Sequence, residues 1–66
     1  MKLEVVRIKG YVNWAVKATA DNGVSRYRGY YYKRDAVAAM KIWCGCGVDQ
    51  RNFYHNFYEG EKLGIK

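Results

Sequence analysis

The chain has 66 residues, half of them hydrophobic, which suits one small globular domain over residues 1–66 and argues against disorder. No stretch approaches the roughly 20 apolar residues of a membrane span, so no membrane partner is expected. The net charge of +6 lies within residues 1–41, which hold nine Lys or Arg and three carboxylates, while residues 42–66 are neutral. This concentration of positive charge favours a polyanion as partner.

The small size of the chain limits its hydrophobic core. A domain of about 60 residues buries only about 60% of its unfolded surface. The aromatic residues, which make up 17% of the sequence, or a homodimer are therefore expected to supply further buried area. Two cysteines and the lack of an apolar leader after Met1 predict a cytoplasmic protein with free thiols.

Residues 1–32 have the alternating pattern of a β-sheet. The alternation predicts strands over residues 3–9, 14–20 and 24–32. Between the last two strands, Asp21-Asn22-Gly23 predicts a tight hairpin, because Asn and Gly tolerate positive φ angles.

The hydrophobic period changes to a helical one at Lys33. Ala36, Met40 and Trp43 recur at helical spacing, so residues 33–44 are expected to form an α-helix. Gly45 and Gly47 are expected to end this helix, and no Ser, Thr or Asp is placed to cap its start. The predicted fold is therefore α+β, with a three-stranded antiparallel sheet packed on one helix in the order β-β-β-α.

The aromatic tail, residues 45–66, is compatible with two conformations. Four aromatic residues share i, i+4 spacing: Phe53, Tyr54, Phe57 and Tyr58. This spacing favours a short helix after Asp49, although an extended segment across the core is the alternative. Residues 60–66 are expected to fray.

The two faces of the predicted sheet follow from which residues are assumed to be buried against the helix. We assume that these are Val6, Ile8, Trp14, Val16, Ala18 and Tyr27. Their neighbours would then form an open basic face without a carboxylate, composed of Arg7, Lys9, Lys17, Arg26 and Arg28. Such a face predicts contacts from Lys to DNA phosphates, with Arg26 and Arg28 placed to contact bases. A solvated face without a ligand is the alternative.

Three consecutive tyrosines follow the basic segment of the third strand. Tyr30, Tyr31 and Tyr32 are candidates to stack on unpaired bases. The alternative is that they fill the edge between sheet and helix.

Five features of the sequence fit a known pattern: Gly10-x-x-x-Trp14, the Asn-Gly hairpin, Gly29 followed by an aromatic residue, the charged Lys33-Arg34-Asp35 before an Ala-rich helix, and Asn52-Phe53. Over about two-thirds of its length, the chain thereby resembles the AP2-type DNA-binding domain and the arm-type DNA-binding domains of phage and transposon integrases. The resemblance implies DNA binding through the sheet, with roles for Arg7, Lys9, Lys17, Arg26, Tyr27 and Arg28.

The third strand departs from this family pattern. In the family, the aromatic residue before the Gly points to DNA and its neighbours pack inward. The corresponding residue here is Tyr27, whose neighbours are Arg26 and Arg28. Because burying two arginines is costly, we expect both of them outside and Tyr27 inside.

A second resemblance is to the C-terminal part of a double-stranded-RNA-binding domain. It rests on three strands followed by the segment from Gly29 to Met40, where Lys33 and Arg34 begin the helix. In that family, such cations contact phosphates across a groove. The helix that precedes the strands in that family is missing, so RNA ranks below DNA as the expected partner.

The sequence shows no arrangement typical of an enzyme. Cys44, Cys46 and His55 form the only metal-like group, and they lack the spacing and fourth ligand of a zinc site. The carboxylates show no pairing suited to acid–base chemistry. We therefore expect no catalytic residues, metal or cofactor.

The alternative to nucleic-acid binding is a protein partner. Short basic chains rich in Tyr are common among phage accessory proteins that bind and inhibit a host protein or defence complex. The contact would be the basic face, against an acidic host protein, or the aromatic tail, whose exposed rings suit an interface: Phe53, Tyr54, Phe57 and Tyr58. The same rings would complete the core if the tail packs inward.

Overall fold

The computed structural model describes residues 1–65 and confirms the predicted α+β fold. Its elements are β1 (Lys2–Arg7), β2 (Trp14–Thr19), β3 (Ser25–Tyr30), α1 (Lys33–Cys46), α2 (Gln50–His55) and a 3-10 helix (Gly60–Leu63). The strands form one antiparallel sheet in the order β1-β2-β3. No helix among residues 1–65 is both long and apolar enough to cross a bilayer.

The hairpin between β2 and β3 lies where the Asn-Gly pair predicts it. Gly23 N–H donates to the Ala20 carbonyl at 2.9 Å, and Val24 N–H donates to Asn22 Oδ1 at 3.1 Å. Gly23 has a φ of 88°, whereas Asn22 does not have a positive φ. This geometry matches a type I turn followed by a glycine bulge rather than a two-residue turn.

Helix α1 is two residues longer than predicted, because Gly45 lies inside it and does not end it. Gly47 ends the helix with a φ of 81°, and its N–H donates to the Trp43 carbonyl at 2.7 Å. At the other end, Tyr32 is the N-cap and makes no side-chain capping bond. The uncapped start agrees with the absence of a capping residue in the sequence.

The hydrophobic core lies between one face of the sheet and the two α-helices. Its buried residues come from β2, α1 and the tail: Val16, Ala18, Ala36, Phe53 and Phe57. Trp43 of α1 packs on Phe57 with ring centroids 5.4 Å apart. Burial of a Phe side chain contributes up to about 3 kcal/mol, so the two tail phenylalanines are a large share of this small core.

The tail forms the predicted short helix and does not fray over its described length. Asp49 caps α2 by accepting a hydrogen bond from Asn52 N–H at 2.8 Å. Tyr58 then pairs with Tyr27 through two backbone hydrogen bonds of 2.6 and 2.7 Å. The prediction that residues 60–66 fray is wrong for 60–65, which include the 3-10 helix and its bond from Ile65 N–H to the Gly60 carbonyl. Lys66 lies outside the described residues.

Candidate nucleic-acid interface

The register of the sheet reverses the predicted orientation of β3. Arg28 pairs with Val16, and Arg26 pairs with Ala18, so both arginines share the helix-facing side with two core residues. Tyr27 pairs with Lys17 on the opposite side, which we call the outer face. The prediction that Arg26 and Arg28 point outward and Tyr27 inward is therefore wrong.

The two arginines are accommodated on the helix side because carbonyl groups of the tail accept their hydrogen bonds. Arg26 donates from Nε and Nη2 to the Phe57 carbonyl at 3.1 and 2.9 Å. Arg28 donates from Nη1 to the Asn56 carbonyl at 3.1 Å and from Nε to Tyr30 Oη at 3.0 Å. Both side chains thus fasten the segment after α2 to the sheet, which removes the penalty for burying unpaired polar groups.

The orientation predicted for β1 is wrong as well. Leu3 and Val5 pack against the core, and Val5 pairs with Val16. Val6 therefore lies on the outer face, and Ile8 is buried just beyond the end of the strand. Apolar residues occupy both alternating positions of β1, so the sequence pattern does not distinguish its two registers.

The outer face is less basic than predicted. Lys17 at its centre lies directly opposite Glu4 on β1 and Tyr27 on β3. The expectation of a face without a carboxylate is therefore wrong. It failed because the register moved Arg26 and Arg28 to the helix side and placed Glu4 beside Lys17.

One end of the outer face is covered by residues 10–13 and the 3-10 helix. Tyr11 N–H donates to the Leu63 carbonyl at 2.8 Å, and Ala15 beneath is fully buried. A Cβ added at Gly29 would lie 2.6 Å from Val12 Cγ2 and 3.3 Å from Leu63 Cδ2. The lack of a side chain at Gly29 is what lets this cover approach the sheet closely.

An open depression of about 640 Å³ lies beside this cover on the outer face. We call it the outer-face depression, and it is lined by Val6, Arg7, Ile8, Lys9, Lys17, Tyr27, Gly64 and Ile65. The residues that line it include Lys9, Lys17 and Tyr27, which were predicted to bind nucleic acid. Arg7 also borders the depression, but it alternates with Val6 and pairs with Trp14, so its side chain lies on the helix-facing side near the Trp14 ring, and the prediction that Arg7 points outward is wrong. No carboxylate lines the depression, although Glu4 lies opposite Lys17 on the same face.

The remaining predicted cations, Lys33 and Arg34, lie at the start of α1 and do not line this depression. Lys33 Nζ lies 5.4 Å from the centroid of the Trp14 ring, and Arg7 Cζ lies 6.0 Å from the same ring. Arg34 Cζ lies 4.9 Å from the centroid of the Tyr32 ring, and its Nε is 3.9 Å from Asp35 Oδ1. A second group of cations and aromatic rings therefore lies at the end of the sheet.

Trp14 was missed as a functional residue by sequence reasoning, which assigned it to the core. It is half-buried and packs against the core while holding two cations near its ring. Arg7 could have been placed beside it only from the register that pairs these two residues across β1 and β2. The alternating pattern of β2 does not indicate that Trp14 has two cations near its ring.

The aromatic residues predicted as a protein interface divide into two groups. Phe53 and Phe57 are buried in the core, so the prediction of an exposed interface is wrong for both. Tyr54 and Tyr58 are exposed, and their role in an interface stays a prediction. The i, i+4 spacing of Phe53 and Phe57, which suggested a shared interface, instead places both rings against the sheet.

The residues with metal-binding side chains remain dispersed. Cys44 and Cys46 are both exposed in the last turn of α1. Within residues 1–65, no three His, Cys, Asp or Glu residues are grouped to hold a metal ion.

Comparisons with known proteins give no relative for this chain. No family model matches it, and neither the curated proteins nor the solved structures contain a match. The function of the candidate site is therefore inferred from the chemistry of its own residues.

Proposed function

We propose that this protein binds double-stranded DNA through the outer-face depression. The observation that supports the proposal is the lining, which brings Lys9 and Lys17 together with Tyr27, while Glu4 lies opposite Lys17 on the same face. Cations clustered in a concave site attract phosphates, and the release of counterions makes the binding depend on salt.

The orientation of β3 also favours the proposal. Tyr27 lies on the outer face while Arg26 and Arg28 face the helices, which is the arrangement that the AP2-type pattern requires and that we expected this chain to lack. A sheet face of this kind can enter the major groove. In the proposed complex Lys9 and Lys17 contact phosphates, and Tyr27 lies on the face that meets the DNA.

The experiment is a fluorescence-anisotropy titration with a duplex DNA, a duplex RNA and an unstructured single strand, at about 50 and about 200 mM salt. We expect the duplex DNA to bind most tightly and its affinity to fall steeply with salt. Stronger binding of duplex RNA would favour the groove contacts expected from Lys33 and Arg34 instead. No duplex binding at the lower salt concentration would overturn the proposal.

The second candidate is a phage-type accessory protein that binds an acidic host protein. It is favoured by the apolar part of the same lining, Val6, Ile8 and Ile65, together with the exposed ring of Tyr54. Apolar contacts surrounded by cations suit an acidic protein surface. A pull-down that recovers one partner with the native chain but not with Lys9→Ala/Lys17→Ala, in the absence of duplex binding, would favour this candidate.

A further inference from the structure

A group of cations and exposed aromatic rings lies at the end of the sheet where β1 ends and α1 begins. We call it the sheet-end platform, and it consists of Arg7, Trp14, Tyr31, Tyr32, Lys33 and Arg34. Strand register brings Arg7 and Trp14 side by side, and the turn after β3 places the two tyrosines directly before the first residues of α1. Arg7, Trp14 and Lys33, which are distant in sequence, thus meet at this end of the sheet, and Tyr31 and Tyr32 directly precede Lys33 in the chain.

The tyrosines of the platform are exposed, in contrast to the tyrosine before them. Tyr31 is 69% and Tyr32 is 59% exposed. Tyr30 packs against the core and accepts the hydrogen bond from Arg28. Of the three tyrosines predicted to stack on bases or fill the sheet edge, Tyr30 therefore fills the edge, and the other two present their rings to solvent.

The cations of the platform are positioned by aromatic rings. Arg7 and Lys33 lie 6.0 and 5.4 Å from the centroid of Trp14, which makes Trp14 a positioning residue for two positive charges. Arg34 lies over Tyr32 and is only loosely paired, at 3.9 Å, with Asp35. Three cations against one carboxylate leave an excess of two positive charges beside the exposed rings.

We propose that the sheet-end platform binds single-stranded nucleic acid. Unpaired bases stack on Tyr31 and Tyr32, and the phosphates between them are held by Arg7, Lys33 and Arg34. Exposed rings beside clustered cations match the two chemical groups that a single strand repeats, a flat base and a negative phosphate. A paired duplex keeps its bases stacked inside and would leave the two rings without partners.

The platform adjoins the outer-face depression at Arg7, which borders the depression but holds its guanidinium near Trp14 in the platform. Single-strand binding at the platform does not depend on duplex binding in the depression. Variants distinguish the two sites, because Tyr31 and Tyr32 do not line the depression, and Lys9 and Lys17 are not part of the platform.

The test measures the affinity of a labelled oligothymidine of about 15 nucleotides, within the usual range of single-strand site sizes. Tyr31→Ala/Tyr32→Ala should weaken binding at least about tenfold, since base stacking on each ring is removed. Tyr31→Phe/Tyr32→Phe should bind within about threefold of the native chain, because the rings remain. Tyr54→Ala is the control for loss of an exposed tyrosine elsewhere, and thermal melting confirms that every variant is folded.

Four results would overturn the proposal. The first is no binding of oligothymidine by the native chain. The second is equal affinity of the native chain and the double alanine variant, and the third is an equal loss in the phenylalanine and alanine variants. If polyglutamate competes as well as oligothymidine at equal charge, the platform recognises negative charge alone, and the assignment of stacked bases is also wrong.

Discussion

Arg26 and Arg28 show how two charged residues become part of the structure that supports a site. Both lie on the helix side of β3, where carbonyl groups of Phe57 and Asn56 accept their hydrogen bonds. Arg26 also lies over the rings of Phe53 and Tyr54, at 5.8 and 5.2 Å. These contacts join the tail to the sheet and leave the outer face to other cations.

Replacing Arg26 should therefore cost stability. We expect Arg26→Ala to lower the free energy of unfolding by about 1.5–3 kcal/mol, since hydrogen bonds from a charged donor are lost. Urea unfolding measures the change, and Arg51→Ala, at an exposed position of α2, should stay within about 0.5 kcal/mol of the native chain. Native stability in Arg26→Ala would mean that the carbonyl contacts do not hold the tail.

Two glycines near the C-terminal end of α1, Gly45 and Gly47, allow a test of where this helix ends. A Cβ added at either Gly45 or Gly47 would meet open space, but Gly45 lies within the helix whereas Gly47 has a φ of 81°. Gly45→Ala should raise the free energy of unfolding by up to about 1 kcal/mol through helix propensity. Gly47→Ala should lower it by about 1 kcal/mol or more, because alanine is strained at positive φ. Thermal melting of both variants checks the opposite signs, and equal effects would contradict the observed end of the helix.

At the scale of elements, the order and type of the strands and of α1 could be predicted, whereas the sheet faces could not. Hydrophobic period and the Asn-Gly pair locate the elements. Strand β1 has apolar residues on both faces, such as Val5 and Val6, so local pattern does not choose its register. For β3 the deciding contacts are with Asn56 and Phe57, about 30 residues away, and no local signal contains them.

The cover formed by residues 10–13 and the 3-10 helix depends on Gly29. Gly29→Val should push this cover away from the sheet, because added atoms would meet Val12 and Leu63. The expected result is faster trypsin cleavage after Lys62, an exposed residue of the 3-10 helix. Gly45→Ala, where the added Cβ meets open space, is the control, and unchanged cleavage in Gly29→Val would show that the cover does not rest on this contact.

At the scale of the whole molecule, one small core supports two adjoining basic surfaces. The helices and the tail cover one side of the sheet, while the outer-face depression and the sheet-end platform remain open. The predicted set of nucleic-acid residues is thus divided among three places. Lys9, Lys17 and Tyr27 line the depression, Arg7, Lys33 and Arg34 belong to the platform, and Arg26 and Arg28 support the tail.

The fold as a whole should depend on the tail. Phe57 is fully buried and packs on Trp43, so Phe57→Ala should cost about 3–5 kcal/mol. A domain of this size has only about 3–10 kcal/mol of stability, and chemical denaturation should show a largely destabilised or unfolded variant. If Phe57→Ala is stable, the buried tail residues do not support the core, and their predicted role in a protein interface is restored.

Binding of duplex DNA in the outer-face depression is tested most directly by a pair of charge-matched variants. Lys9→Ala/Lys17→Ala removes two cations of the depression, and Lys41→Ala/Arg51→Ala removes two exposed cations of the helices. Duplex affinity is measured by anisotropy against salt concentration, with thermal melting as the check on folding.

We expect Lys9→Ala/Lys17→Ala to bind duplex DNA about tenfold or more weakly than the native chain. The slope of log affinity against log salt should become shallower by about two units. The second variant should stay close to the native chain. Equal losses in the two variants, or native affinity in Lys9→Ala/Lys17→Ala, would contradict the claim, because duplex binding would then follow net charge or another surface and not the depression.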